Sequence, residues 1–325
     1  MPAGVRPVYF VLTPGFLLLD LSGPAEAFMY ARRAGAAFEL HFAAAAPTLG
    51  GALGLSLGPL EPLPERVPAD ALIVLSGATR PEINYASREA RATIAWLRQL
   101  AGADGGPRIA CVCSASLLAA EAGLLDARPC TTHHALTQRL RELAPDAEVL
   151  DDRIFVDAGA ICTSAGITAG IDLALYLIEQ YAGPGIAQTV ARDLVVYLRR
   201  TGNDPQLSPW LAHRNHLHPT VHRVQDAISR APERAWALSD LARRAHTSVR
   251  NLTRLFRQHT GTTIVLYQQR IRIAYARQLL ENPRNSLERV AERVGLSSAR
   301  SLRRVWAKVE GGTPGEARAG GVSEA

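Results

Sequence analysis

The first half of the chain alternates short, apolar, β-branched runs with longer stretches whose apolar residues recur every three to four positions. Runs of the first kind predict buried strands, and the longer stretches predict helices laid against them. Strands are predicted over residues 8–13, 39–44, 71–75, 109–112, 154–156 and 160–163, with helices over 17–33, 87–101, 115–122 and 168–181. Strand followed by helix, repeated, predicts a parallel sheet covered on both faces: an α/β doubly wound (flavodoxin-like) N-terminal domain. Past residue 183 the strand pattern stops. A helix is predicted over 183–200, a turn-rich hinge over 201–209, and helical spacing alone beyond.

Inside that helical tail one pattern occurs twice. Leu238, Leu241 and Ala242 recur 49 positions later as Leu287, Val290 and Ala291, and Ser248, Leu252, Phe256 and Gly261 recur 50 positions later as Ser298, Leu302, Trp306 and Gly311. Each copy predicts a short helix, a tight turn, a serine capping a second helix and a glycine ending it. The tail is therefore predicted to be an all-α C-terminal domain with two helix-turn-helix modules. On the second helices Val249, Leu252, Leu255 and Phe256 form one apolar stripe, matched by Ala299, Leu302, Val305 and Trp306. The opposite faces carry Arg250, Asn251, Arg254 and Gln258 in the first copy and Arg300, Arg304 and Lys308 in the second. Arg and Asn pair with base edges in the major groove, while Lys and further Arg grip phosphate. A merely solvated charged face would have to arise independently in both copies. Between them, apolar residues at 267, 271, 275 and 279 predict one connecting helix, ended at Asn282 and Pro283, that sets the distance between the recognition helices.

Charge sharpens the division. The net +6 of the 325 residues separates into −5 over residues 1–212 (16 basic, 21 acidic) and +11 over 213–325 (20 basic, 9 acidic). So strong a local excess is the footprint of a polyanionic partner, here double-stranded promoter DNA. Boundaries are predicted at 1–185 for the sheet domain, 186–219 for a helix and linker, 220–318 for a DNA-binding domain and 319–325 for a tail. No signal peptide or membrane span is predicted, since the apolar run 8–12 ends at Pro14 and the uncharged stretch 42–60 is broken by prolines and glycines. Cys111, Cys113, Cys130 and Cys162 lack metal-type spacing and suit a reducing cytoplasm. His213, His216, His218 and His222 raise the question of a metal, but Pro219 interrupts them and no cysteine or carboxylate adjoins, so a solvated linker with no metal is predicted. No cofactor is expected.

In doubly wound folds ligands bind at the carboxyl ends of the strands. Asp20, Gly77 and Cys113 all fall at such ends. Cys113 stands where a strand turns directly into a helix, the context of a nucleophile elbow, whereas Cys111 two places earlier is expected to be core.

The segments 113–133 and 163–172, together with Asp20 to Pro24, resemble the PfpI-like (class I glutamine amidotransferase-like) domain of GlxA-type regulators. The tail from about residue 220 to residue 318 resembles the AraC/XylS DNA-binding domain. Together the two resemblances imply a transcription regulator that senses a small, often nitrogenous metabolite, and a homodimer is expected. They also imply a ligand site at Asp20, Cys113, Ser114 and His133, which Gly77 joins from its place at a strand end, with Cys113 at the elbow and no catalytic turnover expected. PfpI-type proteases place a histidine base after the cysteine, and this chain has Ser114. Related isonitrile hydratases use an acid, a cysteine and a hydroxyl residue in the corresponding places, which keeps a cysteine-dependent hydratase or amidase as the alternative. The tail departs from its family at Ile264, where proline is usual, at Leu296, where phenylalanine is usual, and at Ala317, where tyrosine is usual.

Overall fold

The central strands are apolar on both faces, so both faces must be covered. The computed structural model describes residues 4–78, 86–101, 106–196, 199–207, 213–214, 216–280, 282, 284–310 and 312–315. Ala317 and the segment 319–325 lie outside the described residues. The chain forms two compact units, Met1–Gln206 and Leu207–Ala325.

In the first unit the order is β1 (Arg6–Leu12), α1 (Leu18–Arg33), β2 (Phe38–Ala44), β3 (Leu49–Gly50), β4 (Ser56–Leu57), β5 (Glu61–Pro62), β6 (Leu72–Leu75), α2 (Arg88–Ala101), β7 (Arg108–Val112) and α3 (Ala115–Glu121). There follow β8 (Pro129–Cys130), α4 (Thr137–Leu143), β9 (Glu148–Val149), β10 (Phe155–Asp157), β11 (Ile161–Ser164), α5 (Ala169–Ala182) and α6 (Pro184–Asp193). The main sheet runs β10-β11-β7-β6-β1-β2-β5, parallel throughout except for β10. Period-two alternation sorts its residues: Val8, Phe10, Leu72, Val74, Ala110 and Val112 face α1, α5 and α6, while Ile73, Leu75, Ile109 and Cys111 face α2, α3 and α4.

The helix predicted over 183–200 ends at Asp193, and Val195 takes a left-handed φ of 53°. Its Ala187 and Val190 are fully buried in the core formed by α1 and α5, so it belongs to the sheet unit rather than to a linker. Sequence reading also missed α4 and the two-stranded pieces β3-β4 and β8-β9, which are too short to show a period.

The second unit is helical: α7 (Pro219–Arg230), α8 (Leu238–Arg244), α9 (Val249–Thr260), α10 (Ile264–Leu280), α11 (Leu287–Arg293) and α12 (Ala299–Glu310). It has two cores. Leu241, Leu252 and Phe256 meet Tyr267 and Ile271 in one, and Val290, Leu302 and Trp306 meet Ile273, Ala276 and Leu280 in the other. Ser248 caps α9 by accepting the Asn251 N–H, and Gly261 closes it in the left-handed region at φ 69°. The turns of the two helix pairs repeat as well, with His246 at φ 52° and Gly295 at φ 72°. Val249 departs from the predicted stripe. As the first residue of α9 it precedes the point where the helix meets the core, and it is 39% exposed.

Candidate functional site

Cys113 joins β7 to α3 with φ 60°, a conformation that strains any residue with a β-carbon. Backbone hydrogen bonds hold it there: its N–H donates to the Ser164 carbonyl at 3.0 Å, and its own carbonyl accepts from the Ser116 N–H at 3.3 Å and the Thr132 hydroxyl at 2.9 Å. Two glycines let its neighbours close in. A β-carbon on Gly166 would lie 2.0 Å from that of Cys113, and one on Gly77 would lie 2.4 Å from Asp20 Oδ2 and 2.8 Å from the Cys113 β-carbon.

Asp20 comes from the first turn of α1 and is wholly buried. Its Oδ1 accepts the Ile167 N–H at 2.5 Å, and the Cys113 thiol donates to the same carboxyl group. Burial pushes this carboxyl from its ordinary 3.8 up to about 6, against the downward pull of the two hydrogen bonds. An acid, a thiol and two side-chain-free backbones thus share one small space at the carboxyl end of the sheet. Beside it, the buried hydroxyls of Ser76 and Ser164 have no protein hydrogen-bond partner among the described residues. Polar groups of that kind suit a polar ligand.

Ser114 is buried with its hydroxyl taken up by the Ala78 peptide, accepting its N–H at 2.7 Å and donating to its carbonyl at 2.9 Å. That pair secures the strand-end loop bearing Gly77. His133 is half-buried, packs tilted against His134 with ring centroids 4.3 Å apart and accepts the Ala135 N–H at 3.3 Å. The residue of that loop that reaches the elbow backbone is Thr132. Gly166, Ile167 and Thr132 escaped sequence reading. A glycine in a Gly-Ile-Thr run 50-odd residues past the elbow was visible as part of the family segment, but nothing in spacing assigned it to Cys113. Cys111 lies wholly buried on the opposite face, and burial raises the thiols of Cys130 and Cys162 to about 11 and about 12. All four cysteines are free thiols.

In the second unit, the seven candidate DNA-binding side chains stand opposite the buried stripes: Arg250, Arg254, Gln258, Arg300, Arg304 and Lys308 exposed, and Asn251 half-exposed. On α9 they are already ordered. Arg254 donates to Gln258 at 3.0 Å and to Asn251 Oδ1 at 2.9 Å, and Asn251 donates to the Thr247 hydroxyl at 2.8 Å. Such a preset row loses less side-chain freedom when it meets a base edge.

The histidines read as a solvated linker are instead packed. The rings of His216 and His222 pack tilted with centroids 4.5 Å apart, and His259 from α9 lies 4.6 Å from His218 and 5.7 Å from His216. Burial and the neighbouring histidines lower the His216 pKa. No group of three or more His, Cys, Asp or Glu among the described residues is placed to hold a metal ion. No helix among them is long and apolar enough to cross a membrane.

Comparison with known proteins matches residues 6–180 to the DJ-1/PfpI family and residues 241–320 to a helix-turn-helix domain. Over 322 residues the chain is 30% identical to the HTH-type transcriptional regulator CdhR of Pseudomonas aeruginosa, covering 96% of this chain and 91% of that one. It is 30% identical to the HTH-type transcriptional regulator GlxA of Rhizobium meliloti over 66% of this chain and 65% of that one. A shorter match, 42% identical over 83 residues, covers 26% of this chain and 35% of an isonitrile hydratase from Pseudomonas putida. A THiJ/PfpI family protein from Pseudomonas syringae superimposes with a TM-score of 0.53 at 21% identity, covering 63% of this chain and 79% of that one, which establishes the fold of the sheet unit. The chain belongs to the DJ-1/PfpI family, among those members that carry a helix-turn-helix domain and act as ligand-responsive, DNA-binding transcriptional regulators.

Proposed function

We propose that both helix pairs are helix-turn-helix modules that read promoter DNA, and that a small nitrogenous metabolite held at Asp20, Gly77 and Cys113 sets how tightly they do so. The observation that carries this reading is the pairing of two unlike sites in one chain. One is a buried acid-thiol pair with unsatisfied hydroxyls beside it, and the other is a pair of basic helix faces in a unit of strong positive charge. Arg250, Asn251, Arg254 and Gln258 read bases from α9, and Arg300 and Arg304 from α12, while Lys308 grips phosphate. The protein acts in the cytoplasm as a homodimer, and Cys113 is not consumed.

A cysteine-dependent hydratase is the second reading, favoured by the intact contact of the Asp20 carboxyl with the Cys113 thiol. Against it, the Ser114 hydroxyl is engaged by Ala78. Genome-wide mapping of bound sites followed by footprinting tests the regulator. Each chain is expected to protect two major-groove segments about 10 bp apart on one face of the duplex. A single short protected segment per chain would remove α12 from DNA reading.

A further inference from the structure

Gln206 is the last residue of the sheet unit, and Leu207 opens the unit that carries the basic helices. The eight residues leading to that junction are pinned along the sheet unit, to α5, to the loop before β10 and to the loop beside the elbow. At one end Arg200 grips the buried Asp172: its backbone N–H donates to Oδ1 at 2.9 Å and its guanidinium to Oδ2 at 2.6 and 3.0 Å. The same guanidinium donates to the Thr168 hydroxyl at 2.9 Å, next to Ile167, whose N–H holds Asp20. In the middle, the Gly202 and Asp204 carbonyls accept the Ile154 N–H, each at 3.1 Å.

At the other end Gln206 bridges the loop after β8. Its Nε2 donates to the Thr132 carbonyl at 2.8 Å, its Oε1 accepts the His134 N–H at 2.7 Å, and its backbone N–H donates to Asp152 at 2.8 Å. Thr132 in turn donates its hydroxyl to the Cys113 carbonyl at 2.9 Å. One amide side chain therefore requires residues 132 and 134 to keep their spacing, and residue 132 is tied to the strained peptide of the elbow.

We propose that residues 199–206 form a strap through which occupancy of the elbow site controls the chain leading into the DNA-binding unit, with Gln206 as its releasable end. This rests on the reading of Asp20 and Cys113 as the sensing site. The two ends differ in strength. Arg200 meets the buried Asp172 carboxylate in a charge-assisted cluster, whereas at Gln206 only the backbone N–H to Asp152 is charge-assisted and the bonds of the side chain are neutral and individually weaker. A ligand that displaces the Cys113 peptide moves Thr132, breaks the register that Gln206 needs, and leaves Arg200 as the pivot. The two states then differ in how the start of the linker is held, which gives a ligand binding one of them better a physical route to the DNA-binding unit.

The test uses the full chain and a duplex that it selects from a random pool. Cys113→Met fills the site, with Cys113→Leu as the substitute should methionine fail to fold, and each is made in the parent and in Gln206→Ala. In the parent the substitution at Cys113 is expected to shift duplex affinity about tenfold, a coupling ordinary for linked sites. In Gln206→Ala the shift is expected to shrink to roughly twofold or less, the scatter of independent changes. Hydrogen exchange at the His134 amide is expected to quicken in Gln206→Ala and in the Cys113 variant alike. Equal affinity shifts in both backgrounds would overturn the strap while leaving the elbow as the sensing site. No shift in either background would overturn both.

Discussion

At the scale of single residues the site is organised by an acid kept out of water. Asp20 holds its proton more firmly in the folded chain than in the unfolded one, because burial raises its carboxyl to about 6 from 3.8. It therefore stabilises the fold below pH 3.8 and loses that contribution as pH rises through about 6. Asp20→Asn keeps an acceptor for the Ile167 N–H without a buried charge. It is expected to raise stability above pH 6 by on the order of 3 kcal/mol and to flatten the melting temperature between pH 4 and 6. Thermal melts across that range check this, and an Asn variant less stable than the parent at pH 8 would contradict it. On α9, Arg254 sits between Asn251 and Gln258. Arg254→Ala is expected to cost about 1–3 kcal/mol on operator DNA and to relax preference at particular bases, whereas Lys308→Ala weakens binding to every sequence. Equal losses on operator and random duplexes for Arg254→Ala, measured by titration, would strike it from the base readers.

At the scale of elements, the chain showed its long, periodic pieces plainly and hid what depends on contact between distant segments. The six strands and four helices expected in the sheet domain lie within about two residues of their observed ends, because runs such as Leu72–Leu75 are apolar on both faces. Asp20, Gly77 and Cys113 could be gathered in advance because each ends up at the carboxyl end of a strand. Gly166 and Gln206 could not, since their partners are set by how loops fold back. Helix α10 shows the same limit. One stripe was expected along residues 267–279, but the helix buries Tyr267 and Ile271 in one core and, two residues on, Ile273 in the other, so its apolar face changes sides. That helix also grips the segments that carry both helix pairs. Arg272 donates to the Pro232, Glu233 and Arg234 carbonyls at 2.7, 3.2 and 2.9 Å, and Arg277 pairs with Glu310 at the end of α12. Arg272→Ala is expected to leave binding to an isolated half-site intact while blunting the penalty for moving the two half-sites 1 bp apart or together, a shift of about 3.4 Å along the duplex. Unchanged spacing preference across a series of duplexes would show that Arg272 does not set the distance.

At the scale of the whole molecule, an acidic sheet unit with a closed thiol site is joined to a basic helical unit, and the regulator works only if the first alters what the second does. Cys113 is central to that claim because the strand end, the two glycines, Asp20 and Thr132 all converge on it. The decisive measurement is the ratio of operator affinities with and without the metabolite whose pathway genes adjoin the mapped sites, taken on the full chain and on Cys113→Ala. The account predicts that Cys113→Ala binds operator DNA as the parent does in the absence of metabolite, while the parent's response, about 5-fold or more as is ordinary for coupled sites, falls toward unity. A Cys113→Ala protein that answers the metabolite as fully as the parent would contradict it and place the sensing site elsewhere in the fold.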